Sequence, residues 1–357
     1  MRKIIPLILT ATVLLTACHK TPGTTIINND SDLYAPLETE SAIDVDKLPV
    51  VTLSEEAVDE VLECGDVTVT LKGTINKPDT LEGLYIYKAN IVDYNEYENN
   101  MTFLFGEYED LIHRFEPSKH LGYNAEEQWG YRAYIVNSSL YDENNFTGIW
   151  GSIFFSRGGK PLEEKTKVGM TDEEAKIQAD EIINKIGLTS FQHYKTIYSE
   201  EVLQMTPEGV LGSPFGDKLT VTYAQYLQGI PVLSTCIQRE VPHTKVTFDY
   251  AGVAGVSIAE YTYEIYSSIN QCISYEEALE KFKDTISQDK DSNGLVFDNV
   301  KFEYSLTKEY VDGKFEIIAV PCWHFYYEGI PGSAVIGVDV KVNAINGNVT
   351  RGGYNGF

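Results

Sequence analysis

Apolar and polar positions along the chain follow two different periods, and the change from one to the other divides it. Between about residue 50 and residue 164 the period is two. Alternation runs through "DVTVTLKG" (66–73), "GLYIYKANIV" (83–92), "GYRAYIV" (130–136) and "GIWGSIFFS" (148–156), with Gly, Pro, Asn and Asp between the runs. That pattern predicts half-buried strands joined by turns. One stretch before them, "SEEAVDEVLE" (54–63), is rich in helix formers and reads as a short helix. "MTFLFGEYEDLIHRF" (101–115) fits a strand or a short helix equally.

Beyond residue 164 a helical period appears twice. "TDEEAKIQADEIINKIGL" begins at Thr171 and "SYEEALEKFKDTISQ" at Ser274. Each opens with a hydroxyl residue and carries a glutamate three positions on, Glu174 and Glu277, the arrangement of a capping box. Ala175, Ala179, Ile182, Ile183 and Ile186 then recur at helical spacing in the first, and Ala278, Leu279, Phe282 and Ile286 in the second. Downstream, "YLQGIP" (226–231) returns as "YYEGIP" (326–331), and each leads into an alternating run with a closing glycine turn. The order helix, strand, Gly-Ile-Pro turn, strand, Gly turn thus occurs twice, which predicts an internal duplication.

These residues resemble tandem PepSY-like domains, small units in which a capped helix packs on an antiparallel sheet. The likeness rests on the "EEA" helix start, the "GIP" turn and the closing run from Val342 to Val349. "AVPCWHFYYEG", Ala319 to Gly329, is also similar to a strand of exported regulators that control envelope histidine kinases. The two copies differ, since Pro331-Gly332-Ser333 stands where the first has Pro231-Val232-Leu233, and the first copy has no Trp in its strand. The resemblance implies non-catalytic roles such as restraining a protease or modulating a sensor.

The N-terminus has a leader's anatomy. Arg2-Lys3 precede an apolar run from Ile4 to Leu15, long enough for a signal peptide and too short to cross a bilayer. Leu15-Thr16-Ala17-Cys18 resembles the lipobox of bacterial lipoproteins, which implies lipidation at Cys18 and attachment to the cell membrane by two or three acyl chains. The following stretch to about residue 49 is rich in Thr, Asn, Asp, Glu and Pro and shows no sustained period. It reads as a tether, spanning on the order of 30 Å root-mean-square for about 30 residues. The expected architecture is α+β: a signal peptide (1–17), lipidated cysteine and flexible tether (18–49), a β-rich domain (50–165), and two repeated helix-on-sheet units (166–268 and 269–357).

Charge narrows the partners. A formal net charge of −25 repels nucleic-acid phosphates and anionic headgroups, so no nucleic-acid partner is expected. Setting Cys18 aside leaves Cys64, Cys236, Cys272 and Cys322, which an exported protein could pair in three ways or keep as buried thiols.

Candidate chemistry is sparse. In "DKDSNGLVF" (289–297), Asp289, Asp291 and Asn293 alternate before Gly294, as in a calcium loop, although Val300 stands where a bidentate Glu belongs. The same residue types make a polar turn from helix to strand. Calcium is the one cofactor any motif raises. Cys322 and His324 alternate in "PCWHF" and share one strand face, as metal ligands or as core residues. Tyrosine-rich runs at 84–100 and 259–268 offer aromatic surface for glycan or peptide, or strand packing. The acidic pairs Glu163-Glu164, Glu173-Glu174 and Glu276-Glu277 are the material for a hydrolase, yet two of the three sit where a helix dipole favours negative charge. No recognised catalytic motif is present. The leading expectation is a non-enzymatic, lipid-anchored extracytoplasmic protein that binds or regulates another envelope protein. Glycan or peptide binding stands second and acid-catalysed hydrolysis third.

Overall fold

The computed structural model describes residues 34–35, 44–92, 112–114, 131–136, 152–157, 164–200, 204–206, 209–211, 216–233, 244–311, 314–327 and 335–355. Cys18, the leader and most of the tether lie outside these residues, as does Cys236.

The strands, in chain order, begin with β1 (Tyr34–Ala35), β2 (Leu53–Cys64), β3 (Val67–Pro78) and β4 (Tyr85–Ile91). Three short ones follow, β5 (Ile112–Arg114), β6 (Tyr131–Val136) and β7 (Ser152–Arg157). After helix α1 (Asp172–Ile186) come β8 (Phe191–Ser199), the small pair β9 (Gln204–Thr206) and β10 (Gly209–Leu211), then β11 (Lys218–Leu227) and β12 (Ile230–Leu233). β13 (Thr244–Asp249), β14 (Gly252–Ile258) and β15 (Tyr261–Ile269) lead to helix α2 (Tyr275–Ser287). The chain closes with β16 (Val296–Val311), β17 (Lys314–Tyr327), β18 (Val335–Asn343) and β19 (Val349–Asn355).

Both helices start at their capping boxes. Thr171 Oγ1 accepts from Glu174 N while Glu174 returns a carboxylate to Thr171 N, and Ser274 and Glu277 do the same. α1 ends on Gly187, whose φ of 94° lets the chain turn out of the helix. Its buried face, Ala175 to Ile186, packs with Leu219, Val221, Val246, Phe248 and Val256. α2 buries Ala278, Phe282 and Ile286 in a larger core. There the Phe282 ring stacks on Phe325 at 4.2 Å and meets Phe297 edge-on at 4.9 Å. Truncating Phe282 to Ala would cost about 3–5 kcal/mol.

The α+β expectation of separate helix-on-sheet units is overturned. The described residues are mostly strand, with two α-helices among them, and seventeen strands join in one mixed sheet that curls into a half-barrel. The reason lies in the β16–β17 hairpin, whose arms of sixteen and fourteen residues are too long for one small unit. Its first half pairs with β3 and β18, and its far half with β12 and β4. The strands beneath α2 include β2 and β3, from the region expected to be a domain of its own. β3 and β12 both run parallel to β16, which separate antiparallel sheets would not allow.

A second correction concerns 54–63, which is strand β2 and not a helix. β2 and β3 pair in register over twelve residues, closing through Gly65–Asp66 with Gly65 at φ 63°. Val58 and Leu62, four apart, satisfy both periods; Cys64, two further on, fits only the strand. Pairing with the strongly alternating β3 outweighs helix propensity.

The first Gly-Ile-Pro motif is a two-residue hairpin turn between β11 and β12, with Gln228 at φ 50° and Gly229 at φ 80°. Gln228 is buried and its amide ties three segments: Oε1 accepts from Tyr87 OH at 2.8 Å, and Nε2 donates to Gly83 O at 2.9 Å and Pro49 O at 3.4 Å.

Candidate functional site

The β16–β17 hairpin is apolar on one face and polar on the other, because "VKFEYS" and "PCWHFYY" alternate. Val300, Phe302, Trp323 and Phe325 join the core that includes α2. Lys301, Glu303 and Ser305 of β16 share the opposite face with His324 and Cys322 of β17 and Lys341 of β18, fixed by the pairings Lys301↔His324, Glu303↔Cys322 and His324↔Lys341. Asn76 of β3 extends the row on the other side of Lys301.

The centre of this polar face is closed, while Asn76 and Lys301 at its margin are half-buried. Glu303 and His324 are 0% exposed, and Ser305, Cys322 and Lys341 are buried as well. Buried polar groups need partners inside the protein. His324 Nδ1 lies 2.5 Å from Glu303 Oε1, and the Tyr326 hydroxyl stands 2.8 Å from both Glu303 oxygens. The His324 and Tyr326 rings are 3.6 Å apart. Lys301 Nζ donates to Tyr194 OH of β8 at 2.9 Å and lies 4.5 Å from that ring. Lys341 Nζ donates to Ser305 Oγ at 3.2 Å. Burial, with the Glu303 charge next, pushes the Tyr326 phenol far above its ordinary range. Burial raises the Cys322 thiol to about 12, against the opposing Lys341 charge.

Carboxylate, imidazole and phenol in hydrogen-bonded contact are acid–base material. A general base must reach the proton it abstracts within about 3 Å, and 0% exposure at both Glu303 and His324 denies that access. The network therefore acts inward, holding β16, β17 and β8 together.

The accessible feature is β2. Among the described residues it pairs with β3 alone, leaving its other side as a sheet edge. Glu55, Glu56, Asp59, Glu60 and Glu63 along it are all exposed. Two are matched across the hairpin, Asp59 by Lys72 at 3.7 Å and Glu56 by Lys77 at 3.1 Å. Val61 is 64% exposed and Val296 37%, and both flank Thr70 in register on one face.

Of the residues singled out as a calcium loop, Asp289 and Asn293 tie the turn after α2 to neighbouring strands. Asp289 caps a short 3-10 turn, Lys290–Ser292, accepting from Asp291 N at 3.2 Å and Ser292 Oγ at 2.5 Å, and it is ion-paired with Arg351. Asn293 Oδ1 accepts from Thr68 N of β3 at 2.9 Å. No group of three or more His, Cys, Asp or Glu able to hold a metal occurs among the described residues. Cys64, Cys272 and Cys322 are free thiols. In the tyrosine-rich runs, Tyr87 and Tyr261 are buried in the core. Glu174 and Glu277 are spent on their caps. Sequence reading placed Cys322 and His324 on one face but missed Glu303, Tyr326 and Lys341, which lie across strands and show only as polar residues opposite aromatic ones. No helix among the described residues is long and apolar enough to cross a membrane.

No protein-family model matches the chain, and no curated protein does. Among solved structures, an uncharacterized protein from Eubacterium rectale ATCC 33656 aligns at a TM-score of 0.49 and 14% identity, over 82% of this chain and 93% of that one. The Bacillus megaterium YpeB C-terminal domain aligns at a TM-score of 0.30 and 12% identity, over 74% of this chain and 98% of that one. Likenesses at these scores assign the chain neither a family nor a role.

Proposed function

We propose that this is a lipid-anchored extracytoplasmic protein, attached to the bacterial cell membrane through Cys18, that binds another envelope protein and acts by that contact, without catalysis. The observation that carries the reading is the contrast between a closed polar network and an open sheet edge at β2. An open edge offers a row of backbone N–H and C=O groups to an added strand. With Tyr34–Ala35 in the sheet as β1, residues 18–33 remain as tether and would hold that edge within a few nanometres of the membrane. The likeness of Ala319–Gly329 to exported regulators of histidine kinases points to a membrane sensor as the class of partner.

Site-specific photocrosslinking in intact cells tests this. A crosslinker at Val61, which is 64% exposed on β2, should trap one protein, while one at Ile177, 50% exposed on α1, should not. Equal labelling from both positions, or none from Val61, would overturn the reading.

A further inference from the structure

The chemistry of the β2 edge specifies its occupant. We infer that β2 takes up, by antiparallel strand addition, an extended segment of a partner protein that alternates paired basic and paired apolar residues; the inference rests on the proposed binding role. β2 side chains fall on two faces. Glu55, Ala57, Asp59, Val61 and Glu63 point one way and Glu56, Val58, Glu60 and Leu62 the other. An added strand would set a residue beside each position, meeting the exposed side chains directly and extending the apolar packing beside Val58 and the buried Leu62; opposite charges or apolar pairs at such positions stabilise while like charges destabilise. Read from Glu63 back to Glu55, the complementary strand is basic, apolar, apolar, basic, basic, apolar, small, basic, basic.

Charge excludes the commonest alternative occupant. A second copy pairing edge to edge would set carboxylate against carboxylate, since β2 contains five acidic residues and no basic one. Lys72 and Lys77 answer only Asp59 and Glu56, so Glu55, Glu60 and Glu63 remain for a cationic partner. Val61, exposed on the first face, supplies an apolar foothold from which a purely electrostatic ligand would gain nothing.

The test uses the full chain and a labelled peptide, Lys-Val-Val-Lys-Lys-Val-Ala-Lys-Lys, followed by fluorescence anisotropy. It should bind more tightly than nona-lysine and weaken as salt rises. Glu55→Lys/Glu63→Lys, two exposed changes checked for folding by circular dichroism, should weaken it about tenfold or more. N-methylation of one alternate set of peptide amides should abolish binding and of the other set should not, because only one set faces β2. Equal binding of nona-lysine, indifference to the charge reversals, or equal tolerance of both N-methylated sets would overturn the inference. Trapping of a partner at Val61 in cells together with any of those results would leave the binding role standing and remove only this account of its occupant.

Discussion

Tyr326 and Glu303 are joined twice: one phenol hydroxyl stands 2.8 Å from each oxygen of a carboxylate that has no exposure to solvent. Removing the hydroxyl leaves a buried acceptor short of a donor, at a cost of about 1–3 kcal/mol. Tyr326→Phe should therefore lower the urea midpoint with an unchanged slope. Paired with Glu303→Gln, it should cost less than the two single changes summed, because the contact is counted in both. Strict additivity would mean that the hydroxyl and carboxylate do not act together.

At Gly73 the backbone of β16 approaches β3 closely. A Cβ there would meet the Asp298 carbonyl oxygen at 1.6 Å, and the residue sits at φ 153° in a sheet whose register shifts between Phe297 and Asn299. Gly73→Ala should destabilise by about 2–4 kcal/mol. Gly83→Ala, at φ 72° with nothing within 4 Å, should cost about 1 kcal/mol from backbone strain alone. Thermal or urea unfolding ranks the two, and the reverse order would refute the close packing.

Asp289 links stability to acid. Burial would raise its carboxyl, but hydrogen bonds from Ser292 and Arg351 and the Arg351 charge outweigh it and hold the group below its ordinary 3.8. A carboxylate whose folded value is depressed stabilises the fold above the unfolded value and loses that contribution as pH falls through the folded one. Asp289→Asn should thus be less stable than wild type at pH 7, with a shallower loss below about pH 4. Parallel acid-limb curves would show that the Arg351 pair contributes nothing.

Thiol reactivity reports the two-sided burial of the sheet. Burial raises both Cys272 and Cys322 to about 12. At pH 8 only roughly one such thiol in ten thousand is ionised, and the thiolate is the reactive form. In a Cys18→Ser/Cys64→Ser/Cys236→Ser background, neither should react with a disulfide reagent within an hour until urea is added. Prompt native labelling of Cys322, on β17, would mean that the core opens there.

The helices were legible because their signals are local: Thr171 with Glu174, and Ser274 with Glu277, lie three residues apart. Most strands were legible for the same reason, through alternation. β2 was misread because Val58 and Leu62 fit either period, and its strand character comes from β3. The picture of repeated helix-on-sheet units failed for a different reason. "EEA" and "GIP" mark a helix start and a turn, and neither says which strands lie alongside. That Val296 neighbours Thr70, and Val232 neighbours Tyr304, is decided by long-range pairing alone. The polar network follows suit, since Glu303 and His324 meet across a register that only the folded hairpin sets.

The parallel seam between β3 and β16 has a bearing on how the molecule is made. Residues 67–78 emerge early and their neighbours at 296–301 emerge late, with more than two hundred residues between them. During synthesis, the β2–β3 hairpin must wait with an unsatisfied flank on both sides until the last stretch of polypeptide arrives. In that interval its five carboxylates keep nascent copies apart.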